Sequence, residues 1–319
     1  MTPEVSIIIV SYNKPDLLLS TLRSVRTKIA APACEVIVVD NASEEGNVEA
    51  VRRAFPEVRL VESRTNGGFG SGCNLGAREG AGKYLLFVNS DVVLTGNPVP
   101  GMISLFEADP QVGIVGCQLR NGDGSLQPSY FRFPGLALRF LQLSGLKKLL
   151  LRFFPAVRFQ QGATFSADIV SGAFFMIPAD LFAAIGGFDT RFFMYAEDAD
   201  ICFQVARRGR RVVVYNTTDV VHLGIHYEDV HDPFLLFHYN RSQIIFYRKN
   251  YSAVRLDALA WMTVVWMTAD ILQGRVRGRD RQIQDRLRAV RRMYLAPLGD
   301  LDAPGFPGLG RPDRGNTVL

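Results

Sequence analysis

The sequence predicts an α/β protein with a mixed, mostly parallel central sheet, helices on both of its faces and further helices toward the C-terminus. Three observations carry that expectation. Short apolar runs rich in β-branched residues recur between Val5 and Val88, stretches of helical spacing fill the intervals between them, and after Pro233 the pattern is helical alone.

Val5 to Val10 (VSIIIV) is a continuous apolar run of buried-strand length, as are Val36 to Val39, Val58 to Val61 and Tyr84 to Val88. Between the first two, Pro15 suits a first helical turn and Leu18, Leu22 and Val25 follow at helical spacing. Between the next two, Val48, Val51 and Phe55 repeat that spacing behind Ser43, which is expected to cap the helix. Asn66 to Asn74 (NGGFGSGCN) reads as a glycine-rich turn that opens a helix. From Gly122 to Asp168 the alternation breaks: Asp123-Gly124 marks a turn, and Leu136 to Phe154 reads as an apolar helical flap carrying Arg139, Lys147, Lys148 and Arg152. Regular structure is expected again over Ile169 to Ile177, as a helix over Glu197 to Arg208 and as a strand over Arg211 to Tyr215. The domain expectation is therefore a sheet domain over residues 1–232 with an insertion at 122–168, a helical region over 233–295, and a Gly- and Pro-rich disordered tail over 296–319.

Composition narrows the class. The chain has 319 residues, 48% of them hydrophobic and 21% charged, which excludes disordered, collagen-like and disulfide-stapled proteins. No apolar run reaches the roughly 18 to 20 residues that span a bilayer. The start lacks the basic and apolar regions of a secretory signal, and Cys34, Cys73, Cys117 and Cys202 form no C-x-x-C pair. The expectation is a cytoplasmic protein with reduced thiols and no structural zinc. The net charge of +5 is local: eight arginines against three aspartates between Asp270 and Leu295 account for it. That pattern argues against a nucleic-acid binder, whose basic residues spread over the fold. It suits contact with an anionic membrane surface, or else a solvated or homodimer-forming helix.

In a doubly wound sheet, ligands collect beyond the carboxyl ends of the strands. Ser11-Tyr12-Asn13, Asp40-Asn41 and Asn89-Ser90-Asp91 end such runs. Asp40 offers a carboxylate that can accept the imide N–H of a uracil or thymine ring, or close an Asx turn into the next helix. Asp91 supplies the hard oxygen that a divalent cation carrying phosphates requires, although aspartates are also ordinary turn residues. Asp198 opens a helix and lies three, four and seven residues before Ile201, Cys202 and Val205, so its carboxylate faces inward. An inward acid at that place is suited to act as a general base; favourable interaction with the helix dipole is the other reading, and it explains Glu197 comfortably and Asp198 less well. His222 ends a β-like run before Gly224, where a metal or diphosphate ligand and a structural histidine are both consistent; His226, His231 and His238 have no such placement. The glycine-rich turn is not a dinucleotide fingerprint, because Cys73 stands where its third glycine would fall.

Taken in order, VSIIIVSYN, EVIVVDNAS, NGGFGSGCN, YLLFVNSDV, DGSLQPSY, IVSGAFFMI, GGFDTRFFMYAEDADICFQVARRG and VVHLGIH resemble the family 2 glycosyltransferases of the GT-A fold, in particular their bacterial rhamnosyltransferase-like branch. The resemblance runs from Val5 to about Lys249. It implies that Asp40 binds the pyrimidine of a nucleotide-sugar donor, with Ser11 and Asn13 framing the nucleotide and Asn66 and Asn74 lining the donor pocket. The family's Asp-x-Asp triplet stands here as Asn89-Ser90-Asp91. The resemblance then leaves Asn89 as a donor contact and makes Asp91, completed by His222, the ligand of a Mg2+ or Mn2+ ion. It makes Asp198 the catalytic base and places Gly172, Tyr195 and Glu197 on the acceptor side. The implied reaction is inverting transfer of a sugar, L-rhamnose from dTDP-L-rhamnose, to a glycan or lipid-linked saccharide acceptor in cell-envelope polysaccharide synthesis, at or near the inner face of the plasma membrane. Two other readings remain at this point: a UDP-sugar transferase, and a non-catalytic nucleotide-sugar-binding assembly subunit.

Overall fold

A computed structural model describes residues 3–29, 34–44, 47–136, 140, 161–217, 219–224, 233–276, 288 and 291–294. The chain divides into two compact units, one built from Met1–Phe133 with Phe159–Ile225, the other including the long helices that follow.

The first unit begins as the sequence predicts. Val5–Ser11 (β1) is buried at every position, which is why it reads as a continuous apolar run and not as an alternating one. Pro15–Lys28 (α1) starts on its proline and turns Leu18, Thr21, Leu22, Ser24 and Val25 inward. Cys34–Asp40 (β2), Asn47–Ala54 (α2), Arg59–Glu62 (β3), Phe69–Glu79 (α3) and Tyr84–Asn89 (β4) follow. Then come Val92–Leu94 (β5), Val99–Ala108 (α4), Val112–Cys117 (β6), Tyr130–Phe131 (β7), Thr164–Ala167 (β8), Ile169–Val170 (β9) and Phe174–Pro178 (β10). Ala179–Ile185 (α5), Glu197–Arg207 (α6), Arg211–Tyr215 (β11) and Val220–His222 (β12) complete the unit.

Among the described residues the main sheet has eight strands in the order β3-β2-β1-β4-β10-β6-β11-β8. β1 pairs in parallel with β2 and β4, β2 with β3, and β6 with β11, whereas β10 and β8 run the other way. The mixed, mostly parallel sheet is thus present. Register brings three strand ends level with one another. Ser11 lies opposite Asp40 and Val10 opposite Asn89, so the ends of β1, β2 and β4 form one edge. β10 begins at that edge and runs back antiparallel to β4, with Phe174 against Val88.

The structure departs from the sequence reading in two places. Ile169 to Ile177 is not one element: β9 pairs with β7, β10 pairs with β4, and a bend at Ser171–Ala173 separates them. The described part of α2 begins at Asn47, and the residues that join it to Ser43, where the cap was expected, lie outside the described residues; the Ser43 hydroxyl accepts the Asn13 N–H at 3.0 Å. β5, α4 and β6 carry no strong local signal. In β6, Gly113 and Gly116 interrupt the apolar run because Val205 and Val170 occupy the space where their Cβ atoms would stand.

Within the 122–168 stretch the described residues include the short strands β7 and β8. Apart from Leu136 and Phe140, the flap expected over 136–154 lies outside the described residues, as do His226, His231, most of the arginine-rich stretch 275–292 and the 296–319 segment. In the second unit, Pro233–Asn250 (α7) and Ala253–Val276 (α8) pack on each other, and the Tyr294 hydroxyl donates to Asn240 Oδ1 at 3.1 Å. No helix among the described residues is long and apolar enough to cross a membrane. All four cysteines are free thiols.

Candidate active site

The turn after β4 is held from beneath by two hydroxyls that α1 turns inward. Thr21 Oγ1 donates to the Ser90 carbonyl at 2.8 Å, and Ser24 Oγ accepts the Leu94 N–H at 3.0 Å. Burying a hydroxyl costs free energy unless it is bonded, and here both are. The turn leads into β5, which pairs antiparallel with β12 and sets His222 opposite Val92. A segment from late in the chain thereby meets the end of β4. His222 Nε2 lies 3.2 Å from Asp91 Oδ1 and 3.4 Å from Asn89 Nδ2. On the other side of the ring, Nδ1 lies 2.7 Å from Gln127 Oε1. The sequence reading did not single out Gln127; its only signal was a place inside the DGSLQPSY motif.

The second cluster surrounds the start of α6. Tyr195 and Ala196 both adopt left-handed backbone conformations, at φ 65° and 62°, immediately before the helix. Two successive non-glycine residues in that region are costly and persist only where the surroundings hold them. The turn they make presents Asp198. Its Oδ2 accepts the Gly172 N–H at 3.1 Å, and its Oδ1 accepts the Ala199 N–H at 2.7 Å. Burial raises the Asp198 pKa, and the two backbone donors oppose that rise. Glu197 is pushed up to about 8, first by burial and then by the Asp198 charge beside it. Its Oε2 is buried and accepts no hydrogen bond among the described residues. Tyr195 remains exposed.

Gly172 connects the two clusters. It sits in the β9–β10 bend, and its neighbour Ala173 accepts the Asn89 N–H at 2.9 Å through its carbonyl. The same bend is tied to the Gln127 loop, because the Ser171 N–H donates to the Ser129 carbonyl at 2.9 Å. Asn89, Asp91, His222, Gly172 and Asp198 therefore share one stretch of the sheet edge.

Ser11 and Asp40 end β1 and β2 on the same edge, both buried. Asp40 is two strands from Asn89, about 10 Å at the usual strand spacing. Asp40 Oδ2 accepts the Ser43 N–H at 3.1 Å, so the Asx-type turn is formed. Asn13, at φ 50°, donates its N–H to Ser43 Oγ and accepts the Glu44 N–H at 2.8 Å, which locks the loops after β1 and β2 together.

Asn66 and Asn74 are engaged with backbone or neighbouring amides. Asn66 Oδ1 accepts from Asn41 Nδ2 at 2.9 Å and from the Gly68 N–H at 3.0 Å. Asn74 pairs both ends of its amide with Phe188, accepting its N–H at 2.9 Å and donating to its carbonyl at 2.8 Å. Asn66 holds the glycine-rich turn, and Asn74 holds the loop before α6. Gly68 has φ 85°, and a Cβ there would fall 2.0 Å from the Phe193 carbonyl oxygen, so this position admits only glycine.

Among the described residues no three His, Cys, Asp or Glu side chains gather as a preformed metal cage. The donor chemistry nevertheless fits a divalent cation shared with phosphate oxygens. A carboxylate oxygen and an imidazole nitrogen, with an amide nearby, match what Mn2+ accepts, and phosphates commonly complete such shells.

The sequence profile of the family described as Glycosyl transferase family 2 matches residues 6–185. Over 280 residues the chain is 26% identical to an N-acetylglucosaminyl-diphospho-decaprenol L-rhamnosyltransferase of Mycobacterium tuberculosis, covering 82% of this chain and 89% of that protein. It is 27% identical over 234 residues to the O-antigen biosynthesis protein RfbC of Myxococcus xanthus, covering 69% of this chain and 17% of that much longer protein. The mannosyltransferase PcManGT from Pyrobaculum calidifontis, solved with GDP-Man and Mn2+, superposes with a TM-score of 0.59 at 18% identity, covering 92% of this chain and 88% of that one. At that identity the structural likeness establishes the fold, which is the GT-A architecture expected from the sequence.

Proposed function

The chain belongs to glycosyl transferase family 2, and we propose that it is an inverting rhamnosyltransferase. In this reading it moves L-rhamnose from dTDP-L-rhamnose to a hydroxyl of a saccharide or lipid-linked saccharide acceptor in cell-envelope glycan synthesis. The donor and acceptor classes rest on similarity to the mycobacterial rhamnosyltransferase and to the O-antigen protein. The observation that carries the catalytic part is the placement of Asp198. Its carboxylate is held by the Gly172 and Ala199 amides at the edge where β1, β2 and β4 end, within one bend of Asn89.

The chemistry follows from that placement. Asp198 takes the proton of the acceptor hydroxyl as its oxygen bonds to the anomeric carbon. The bond from that carbon to the diphosphate oxygen breaks on the opposite face, and configuration inverts. Burial favours this role, since a carboxylate with a raised pKa is a stronger base. Asp40 and Ser11 hold the nucleotide end, and Asn13 braces the loop beside them. Asn66 shapes the donor side by fixing the turn before α3, and Asn74 does so by clamping the loop before α6 to that helix. Asp91 and His222 would hold a Mg2+ or Mn2+ ion with Asn89 beside it, and that ion would neutralise charge on the departing diphosphate. Tyr195, Glu197 and Gly172 face the acceptor. A lipid-linked acceptor would bring the protein to the inner membrane face, with the arginine-rich stretch 275–292 meeting anionic headgroups; salt-sensitive flotation with anionic vesicles tests that contact.

The test is transfer by the purified chain with Mn2+. dTDP-L-rhamnose and UDP-linked galactose, glucose and N-acetylglucosamine are each offered with an N-acetylglucosaminyl-diphospho-polyprenol acceptor. Turnover with dTDP-L-rhamnose and inverted anomeric configuration in the product are expected. Turnover with a UDP-sugar alone would replace the donor, and binding of donors without any turnover would favour an assembly subunit.

A further inference from the structure

We propose that Gln127 is a positioning residue that fixes the proton of His222 on Nδ1 and so turns the bare Nε2 toward Asp91 and Asn89. This inference rests on the proposed metal role of Asp91 and His222 and adds a residue to it.

Gln127 is buried, and its amide orientation is set from both ends. Its Nε2 donates to Asn121 Oδ1 at 2.8 Å, which leaves Oε1 facing the imidazole at 2.7 Å. An amide oxygen can only accept, so His222 Nδ1 must donate. With Nδ1 committed to Gln127, Nε2 is the ring nitrogen that faces Asp91 Oδ1 at 3.2 Å and Asn89 Nδ2 at 3.4 Å, and it is the atom a cation shared with Asp91 would take. The backbone holds the glutamine as firmly as the side chain does: Gln118 Nε2 donates to the Gln127 carbonyl at 2.7 Å, and the Gln127 N–H donates to the Leu119 carbonyl at 2.9 Å. A buried polar network of this kind is costly to build for stability alone, since an apolar side chain would fill the same space. Its placement behind the histidine that meets Asp91 gives it a purpose.

The experiment compares Mn2+ affinity, read by electron paramagnetic resonance of the free ion, in wild type, Gln127→Leu, Gln127→Glu and His222→Ala. Gln127→Leu removes the acceptor and should weaken Mn2+ binding about 10- to 100-fold, the usual consequence of losing such an outer partner. Gln127→Glu keeps an oxygen on Nδ1 and should stay within about threefold of wild type. A purely structural glutamine would lower the melting temperature in both variants without separating their Mn2+ affinities, and that outcome overturns the proposal. Should Gln127→Leu not fold, the tautomer is read directly in wild type by long-range proton–nitrogen correlation of the imidazole with Mg2+ present. A proton on Nδ1 supports the proposal and a proton on Nε2 overturns it. If His222→Ala binds Mn2+ like wild type, the assignment of His222 as a ligand fails as well. Failure with dTDP-L-rhamnose alone touches only the donor reading, because none of these measurements uses a sugar donor.

Discussion

The Gly172 amide donates to Asp198 Oδ2 at 3.1 Å across the bend that separates β9 from β10. One backbone donor from the bend before β10 thus orients a side chain from the first turn of α6. Neither residue would be placed without the other's element, and the proposed base depends on both.

Asp198→Asn keeps the shape and removes the proton acceptor. Transfer should fall by about 10² to 10⁴ while donor binding, followed by thermal shift, stays near wild type. Near-normal turnover in this variant would mean that another group takes the proton.

Gly172→Ala probes the geometry of the same contact. The added Cβ would stand 3.3 Å from Asp198 Cβ and 3.7 Å from both Asp198 Oδ2 and Phe69 Cε1. The carboxylate must shift by a few tenths of an ångström, so kcat should drop about tenfold with little change in stability. Unchanged kcat would show that the base tolerates displacement.

Glu197 makes stability depend on pH. Its folded pKa of about 8 lies above the usual carboxylate value, so the folded protein binds the extra proton more tightly than the unfolded chain. The stabilisation is full below about pH 4.5 and is lost as pH rises toward 8. Its ionisable neighbours there are Asp198 and the buried Cys73 thiol, whose pKa is also raised. Glu197→Gln should therefore gain on wild type progressively between pH 5 and 8, by up to a few kcal/mol in urea unfolding, on the order of the shift. Parallel pH curves for the two proteins would rule this out.

Asn74→Ala leaves the Phe188 N–H and carbonyl without their partner. Unfolding free energy should fall by about 2 to 3 kcal/mol, since buried backbone groups are expensive to leave unpaired. Equal urea midpoints for variant and wild type would show that the clamp is replaceable.

Gly68→Ala should be more damaging than any of these. The position has positive φ, and the methyl would meet the Phe193 carbonyl at 2.0 Å. A loss of about 2 to 4 kcal/mol, or failure to fold, is expected by urea titration or soluble yield. A wild-type midpoint would mean that the loop before α6 moves freely.

The parts of the fold that could be read in the sequence are those whose burial is local. β1, β2 and β4 show as apolar runs because both faces of each strand are covered, and α1 shows because one stripe faces the sheet. Asp40, Asp91, Asp198 and His222 stand out because each carries a polar group just where such a run ends or a helix begins. Gln127 and the Ser43–Asn13 contact could not be found this way. Polar residues in loops are common, and nothing local marks the few that touch a site.

The sequence by itself determined the class of sheet, the helices that cover it and the strand ends at which ligand-binding groups had to lie, because hydrophobic periodicity is a property of neighbouring residues. Only the tertiary structure decided that β10 runs antiparallel, that β12 pairs with β5 to bring His222 to Asp91, and that Gln127 meets His222 while Gly172 meets Asp198. Those outcomes depend on pairing and register between segments far apart in the chain, where the energy that selects one partner over another appears only when both are packed together.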